Sequence, residues 1–268
     1  MEILGLILAA LVGISLGLIG GGGSILTLPI LVYILGMQPV IATSYSLFIV
    51  GSTSLVGTVI NYKKGNVQIK TAIVFGAASI STVFFTRKLL LPIIPKIIMV
   101  FDNGFVLSQS MVTMSLFAIL MFFAAVAMIK SKRVIQEKAS AYEFHTPKYT
   151  SLLMHGVLIG LATGFFGAGG GFLLIPTLVL LFHMPIKQAI GTSLLIITLN
   201  SLFGFLGDWG NFVIDWYLLL AITIIAIVGI FIGSFFSSKI DSLHLKRMFG
   251  WFVCVMSVYI LLKEILQF

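Results

Sequence analysis

Leu16-Gly17-Leu18-Ile19-Gly20-Gly21-Gly22-Gly23-Ser24 returns 147 positions later as Thr163-Gly164-Phe165-Phe166-Gly167-Ala168-Gly169-Gly170-Gly171. That offset pairs Gly17 with Gly164, Gly20 with Gly167, Gly22 with Gly169, Gly23 with Gly170 and Pro29 with Pro176. Each copy then leads to a small polar pair, Thr43-Ser44 and Thr192-Ser193, now offset by 149, so the second copy carries two extra residues in between. A fixed spacing of this kind marks an internal duplication.

The residues around the motif name its solvent. Of 268 residues, 59% are hydrophobic and only 9% charged, with a mean hydropathy of +1.18. A water-soluble domain carries about a quarter charged residues, so the chain reads as an integral membrane protein. Apolar segments fall at 3–20, 25–36, 40–60, 71–88, 107–129, 149–166, 172–183, 189–206, 216–237 and 247–266, which is five per copy. Most approach the roughly 20 residues that span a bilayer as helix, and none alternates as a barrel strand does. The N-terminal run has Glu2, no basic n-region and no small-residue cleavage site, so it reads as the first membrane helix rather than a removed signal.

Ile25–Leu35 and Phe172–Phe182 hold only eleven residues each. At 1.5 Å per residue that is roughly 16 Å, about half of a ~30 Å hydrocarbon core. If each short arm turns back beside the helix before it, each copy makes an odd number of passes and the second copy is inverted. The basic residues then divide twelve (Lys63, Lys64, Lys70, Lys130, Lys132, Arg133, Lys138, Lys148, Lys187, Lys239, Lys246, Arg247) against four (Arg87, Lys88, Lys96, Lys263). If the arms continue across, the split is nine against seven. Positive-inside bias selects the first arrangement.

The predicted fold class is therefore an all-α polytopic membrane protein built as two inverted repeats, each a glycine-broken helical hairpin plus three transmembrane helices. Residues 1–129 form the first membrane repeat, 130–148 a basic cytoplasmic linker and 149–268 the second membrane repeat, with both termini outside. Trp209, Trp216, Tyr217, Tyr62 and Tyr149 stand near helix ends, where an aromatic belt would anchor them. The net charge of +8 lies between the apolar segments rather than on one face, so it orients the chain in a bilayer and does not mark a nucleic-acid partner. No pattern in the residues specifies an oligomeric state.

Glycine-rich breaks inside apolar segments point to a small-molecule site where two halves meet near the midplane. Irregular backbone is tolerated at that depth only if buried in protein or lining a cavity. The N–H groups it frees, with the positive ends of the arms that follow, suit an anion. The bland alternative is glycine for close helix packing. A dinucleotide fingerprint is excluded, because no strand or βαβ unit precedes either run. The candidate substrate-binding residues are Gly20, Gly22, Gly23, Ser24, Thr43 and Ser44 from the first copy. Gly167, Gly169, Gly170, Gly171, Thr192 and Ser193 are their counterparts in the second. Ser52, Thr53, Ser54, Gln109, Ser110, Asn200 and Ser201 form a second tier of polar groups that want partners.

The eight acidic residues lie at or near segment ends, so no carboxylate is expected in the core. Arg87 and Lys88, at the external end of the third pass, read as snorkelling side chains, and the core is expected to hold no arginine clamp. His155 is the one histidine well inside a segment. With a single cysteine, Cys254, no acid pair, no Gly-x-Ser-x-Gly elbow and no ligand cluster, the sequence offers no catalytic residue, no metal site and no cofactor.

Gly17-x-x-Gly20-x-Gly22-Gly23 with Pro29 and Ala42-Thr43-Ser44, followed by Gly164-x-x-Gly167-x-Gly169-Gly170-Gly171 with Pro176 and Gly191-Thr192-Ser193, resembles the TauE/SafE sulfite exporter family over essentially the whole chain. The resemblance implies a non-enzymatic permease of a prokaryotic inner (plasma) membrane that moves sulfur-containing anions such as sulfite, thiosulfate or sulfonates. It also implies an acidic residue in the loop after the second long helix. Here Gln68 stands near that place in the first copy and Asp215 in the second. A passive anion channel and a permease for a non-sulfur organic anion are the competing readings.

Overall fold

The structure is a computed structural model describing residues 2–95, 97–100, 106–130, 149–236 and 242–266. The linker expected at 130–148 lies, past Lys130, outside the described residues, as do Lys96 and Lys239. Helix α1 (Glu2–Ile19) leads into a first short arm made of a 3-10 turn (Gly21–Leu26), one α turn (Thr27–Pro29) and a wide π turn (Ile30–Ile34). Then come α2 (Pro39–Lys63) and α3, which starts at Ile69–Phe85 and runs through a π turn to Ile93. A two-stranded antiparallel hairpin, β1 (Ile97–Val100) with β2 (Val106–Ser108), precedes α4 (Gln109–Lys130). The second copy has α5 (Tyr149–Phe166), a second arm (Gly171–Pro176, then Thr177–Leu181), α6 (Ile186–Gly207), α7 (Trp216–Phe236) and α8 (Ser242–Leu266). Five helices among the described residues are long and apolar enough to cross a membrane. The all-α polytopic class holds, with the β1–β2 hairpin as its one strand element among the described residues.

The duplication is visible in the backbone. Both arms change to a π turn directly after their proline, Pro29 or Pro176. Proline has no N–H to donate and its ring crowds the carbonyl four residues back, so the helix widens there. Both arms also end alike: Met37 N–H donates to Leu31 O and Met184 N–H to Leu178 O, each at 3.0 Å.

Helix directions follow from which residues touch. Along the α2–α6 contact, Ser44 meets Asp208, Leu47 meets Gly204, Gly51 meets Leu202 and Thr58 meets Thr198, so these equivalent helices run antiparallel. In contrast, α1 lies parallel to α7, with Gly13 on Ala226 and Gly17 on Ile230, and α5 lies parallel to α3, with Gly156 on Phe75 and Gly164 on Thr86. Because α7 is parallel to α2, with Phe48 on Trp216 and Gly57 against Ile230, α1 and α2 point the same way. The first arm must therefore return between them. The same reasoning, through Ser79 on Asn200 and Arg87 on Asp208, makes the second arm return between α5 and α6.

These close crossings depend on small residues, because lipid gives two helices no hydrophobic reason to associate and backbone packing must supply it. Gly13 and Gly17 of α1 face Gly229 and Gly233 of α7, and Gly156, Gly160 and Gly164 of α5 face α3. For Gly17 and Gly164 the packing explanation is thus sufficient. A Cβ at Gly229 would stand 3.0 Å from Gly13 Cα, and one at Gly160 would stand 2.7 Å from Ser79 O. Both Gly229→Ala and Gly160→Ala are expected to lower stability by about 1–3 kcal/mol through overpacking. Gly76→Ala, whose Cβ would meet only side-chain tips at 3.8 and 3.9 Å, is expected to hold or raise it by up to about 1 kcal/mol. Thermal melts in detergent followed by gel filtration compare the three.

Candidate functional site

The two arms meet backbone to backbone. A Cβ on Gly21 would lie 2.6 Å from Gly171 Cα and 2.8 Å from its carbonyl oxygen, with Ile197 of α6 at 2.6 Å on the same side. Gly169 faces Val50 of α2 at 2.7 Å by the same measure, and Ile197 at 3.1 Å. Val50 and Ile197 fall near the middles of α2 and α6, so the breaks cross at mid-depth. In the first break Gly20 has φ 76°, Gly21 to Gly23 lie in the 3-10 turn, and Ser24 Oγ donates to Gly21 O at 2.8 Å. In the second, Gly167, Gly169 and Gly170 all have positive φ, and Gly170 O accepts from both Leu173 N–H and Leu174 N–H at 3.0 Å.

The polar pairs do not gather at one point. Since α2 and α6 are antiparallel, Thr43 and Ser44 sit at one end of the helix pair and Thr192 and Ser193 at the other. Thr192 Oγ1 accepts from Gln68 N–H at 2.9 Å, Gln68 Nε2 donates to Gln188 Oε1 at 3.0 Å, and Ser193 Oγ donates to Ile190 O at 2.9 Å. Thr43 is placed differently. Its hydroxyl donates to Val40 O at 2.7 Å and accepts from Arg87 Nη1 at 2.9 Å, directly beside Gly167.

Arg87 corrects the sequence reading. It is fully buried at 0% exposure, where a snorkelling residue was expected, while its neighbour Lys88 is exposed with its ammonium 5.4 Å from the Phe84 ring centre. Arg87 Nη1 pairs with Asp208 Oδ2 at 2.8 Å, and Ser44 Oγ donates to the same carboxylate oxygen. Asp208 caps α6 and is 6% exposed, so the interior holds both a carboxylate and an arginine. The pair spans 121 residues of sequence, and neither side chain carries a local signal of burial. What the sequence did offer was that Arg87 opposes the majority distribution of basic residues.

Several buried polar atoms near the second break have no hydrogen-bond partner among the described residues. They are Arg87 Nε and Nη2, Thr163 Oγ1, Asn200 Nδ2 and Ser201 Oγ. Arg87 Nη2 lies 2.6 Å from where a Gly167 Cβ would be, Ser201 Oγ lies 3.1 Å from the Gly169 position, and Thr163 Oγ1 abuts Gly170. At the first break the corresponding neighbours of Gly20 are Ile190 and Ile175, at 2.8 and 3.3 Å. The breaks thus differ at this position, Gly167 packing on Arg87 and Thr43 and Gly20 on two isoleucines, while at the first break Ser15 Oγ abuts Gly23 and Thr27 Oγ1 is likewise buried without a partner among the described residues. A narrow cleft lined by Pro39, Val40, Thr43, Gln109, Thr113 and Phe165 reaches Thr43 from the α2 N-terminal end. Among the described residues no group of three or more His, Cys, Asp and Glu is placed to hold a metal.

Of the remaining candidates, Asp215 caps α7, its Oδ1 accepting from Leu218 N–H at 3.1 Å, and His155 Nδ1 lies 2.8 Å from Ser151 O beside the Phe182 ring. Trp209 and Trp216 are exposed, and together with Phe205 and Phe48 they form an aromatic cluster next to Asp208.

Removing one member of a buried ion pair leaves the other charge uncompensated, at about 3–5 kcal/mol. Arg87→Gln alone is expected to destabilise by that order, and Arg87→Gln with Asp208→Asn to recover most of the loss. Melts of the two single variants and the double variant complete the cycle, and simple additivity would deny the coupling.

The family described as "Sulfite exporter TauE/SafE" matches residues 5–260. A protein of Methanocaldococcus jannaschii called probable membrane transporter protein MJ0441 is 34% identical over 271 residues, covering 96% of this chain and 94% of its own length. A probable membrane transporter protein of Xylella fastidiosa is 29% identical over 257 residues, covering 95% of this chain and 92% of its own. Probable membrane transporter protein YdhB of Bacillus subtilis is 25% identical over 236 residues, covering 88% and 90%. No solved structure matches the chain. With the duplicated glycine motif, the apolar helices and a match across nearly its whole length, the chain belongs to the TauE/SafE family of membrane transporters.

Proposed function

We propose that the chain is a secondary transporter of small sulfur-containing oxyanions such as sulfite, thiosulfate or sulfonates, holding the anion at the glycine breaks and working by alternating access. The observation that carries this reading is the set of buried polar atoms without partners around the second break: Arg87 Nε and Nη2, Thr163, Asn200 and Ser201. Native interiors leave few polar groups unmet, and unmet donors and hydroxyls beside Gly167, Gly169 and Gly170 fit a ligand that comes and goes. The sulfur class rests on the family's description. The binding residues are those of the two breaks, Gly20, Gly22, Gly23, Ser24, Gly167, Gly169, Gly170 and Gly171, with Thr43 and Ser44 on one approach and Thr192 and Ser193 on the other.

The antiparallel contact between the equivalent helices α2 and α6, with α1 on α7 mirrored by α5 on α3, supports inverted repeats. A two-fold axis along the membrane normal would leave equivalent helices parallel. Inversion in turn supports rocking of one half against the other about a central site. The basic distribution orients the chain in the inner (plasma) membrane with the 130–148 linker and the Lys63-Lys64 end cytoplasmic, which puts the Arg87–Asp208 end outside.

Proteoliposomes test this reading. With the membrane potential clamped at zero, labelled sulfite uptake is expected to speed up when unlabelled sulfite is loaded inside, an acceleration that a passive channel then does not show. Ser201→Ala, which removes a hydroxyl lacking any partner, is expected to leave stability unchanged or about 1 kcal/mol higher while lowering the exchange rate severalfold. Absence of exchange for every sulfur oxyanion tried, or full activity in Ser201→Ala, would contradict transport or this placement of the site, respectively. In whole cells an impermeant maleimide should label Asn211→Cys but not Lys64→Cys, both residues being exposed, and the reverse pattern would invert the orientation.

A further inference from the structure

Arg87 offers more than an ion pair needs. Its contacts to Asp208 Oδ2 and Thr43 Oγ1 both use Nη1. The other side of the guanidinium, Nε with Nη2, has no acceptor, although the residue is 0% exposed. That edge presents two parallel N–H donors, the geometry that fits two oxygens bonded to one central atom. Asp208 does not use it. The missing side chain of Gly167 lets Nη2 lie against the backbone of the second break, since a Cβ there would come within 2.6 Å of that nitrogen. Thr43 both holds Nη1 and lines the cleft that opens beside Gln109 and Thr113.

We infer that Arg87 is the residue that binds the anionic substrate, through its Nε–Nη2 edge beside Gly167, and that Asp208 is the built-in counter-ion against which the substrate competes. This rests on the transport reading above and deepens it by assigning the charge recognition. An oxyanion admitted beside Thr43 would meet a guanidinium already fixed by Nη1, with its two-donor edge unused. The Asp208 carboxylate serves two ends. It compensates the arginine when no anion is bound, and it repels the anion once bound, so binding stays weak enough for release. Like charges brought together in a dry interior oppose each other strongly. A single-atom anion such as chloride cannot use both donors and is bound less well than an oxyanion.

The test is anion-dependent thermal stabilisation of the purified full-length protein, with sulfite, methanesulfonate and chloride as probes. Variants are Asp208→Asn, Arg87→Lys and the double Arg87→Gln/Asp208→Asn. The parent should respond to sulfite and methanesulfonate more than to chloride. Asp208→Asn should bind the oxyanions about tenfold tighter or more, from the like-charge term, and regain with them the stability it lost. Arg87→Lys, which keeps the charge without the two-donor edge, should lose the preference for oxyanions over chloride. The double variant, neutral at both positions and folded, should show no oxyanion response. A double variant that responds as the parent does, or Asp208→Asn binding no tighter than the parent, overturns this inference while leaving the transport reading in place. A parent that responds to none of the probes overturns both.

Discussion

The contact on which the rest depends is that of one arm's backbone against the other's, at Gly21 and Gly171. A bilayer interior supplies no water to an interrupted helix, so every freed N–H and C=O must find its partner within the protein. The breaks bond locally, Gly23 N–H to Gly20 O and both Leu173 and Leu174 N–H to Gly170 O, and they lie buried in the middle of the molecule, walled by α2 and α6. Glycine is required at the crossing because a side chain on either arm would occupy the backbone of the other. The same economy of side chains brings α1 onto α7 and α5 onto α3, which closes the shell around the arms.

Duplication supplies the frame, and divergence supplies the chemistry. The two breaks share the φ reversal at Gly20 and Gly167, their prolines and the hydrogen bond that ends each arm, and the second adds reversals at Gly169 and Gly170. Their surroundings differ: Gly20 faces Ile190 and Ile175, whereas Gly167 faces Thr43 and Arg87. The charged member comes from the end of α3 and its partner from the end of α6, helices of opposite halves. The relative movement of the halves proposed above would act directly on this pair. In a low-dielectric interior the strength of such a pair depends steeply on separation and on what else enters the space.

Much of this frame was legible in the sequence, because bilayer depth and backbone satisfaction write themselves into the chain as segment length and glycine placement. The apolar segments at 40–60 and 189–206 lie within Pro39–Lys63 and Ile186–Gly207. The half-length segments after each motif are the returning arms, and the glycines of both motifs are drawn together. What stayed hidden depends on contacts distant in sequence. An Arg-Lys pair at the end of an apolar run looks the same whether it reaches water or turns inward. Only the fold shows that Lys88 is exposed on the surface and that Arg87 turns inward. Asp208, followed by Trp209-Gly210-Asn211, reads as the start of a loop, and nothing local tells that α2 places Ser44 against it. The separation of Thr43-Ser44 from Thr192-Ser193 had the same cause, since it follows from the antiparallel course of α2 and α6. The β1–β2 hairpin lies in a stretch that carried no period of either kind.

Anomalous diffraction from crystals grown with selenite, a heavier analogue of sulfite, would locate the bound anion. A selenium peak is expected within hydrogen-bonding reach of the Arg87 guanidinium and the Gly167–Gly170 backbone, between α2, α3 and the second arm. Selenium found only at the protein surface, or in the interior away from both glycine breaks, would contradict this site.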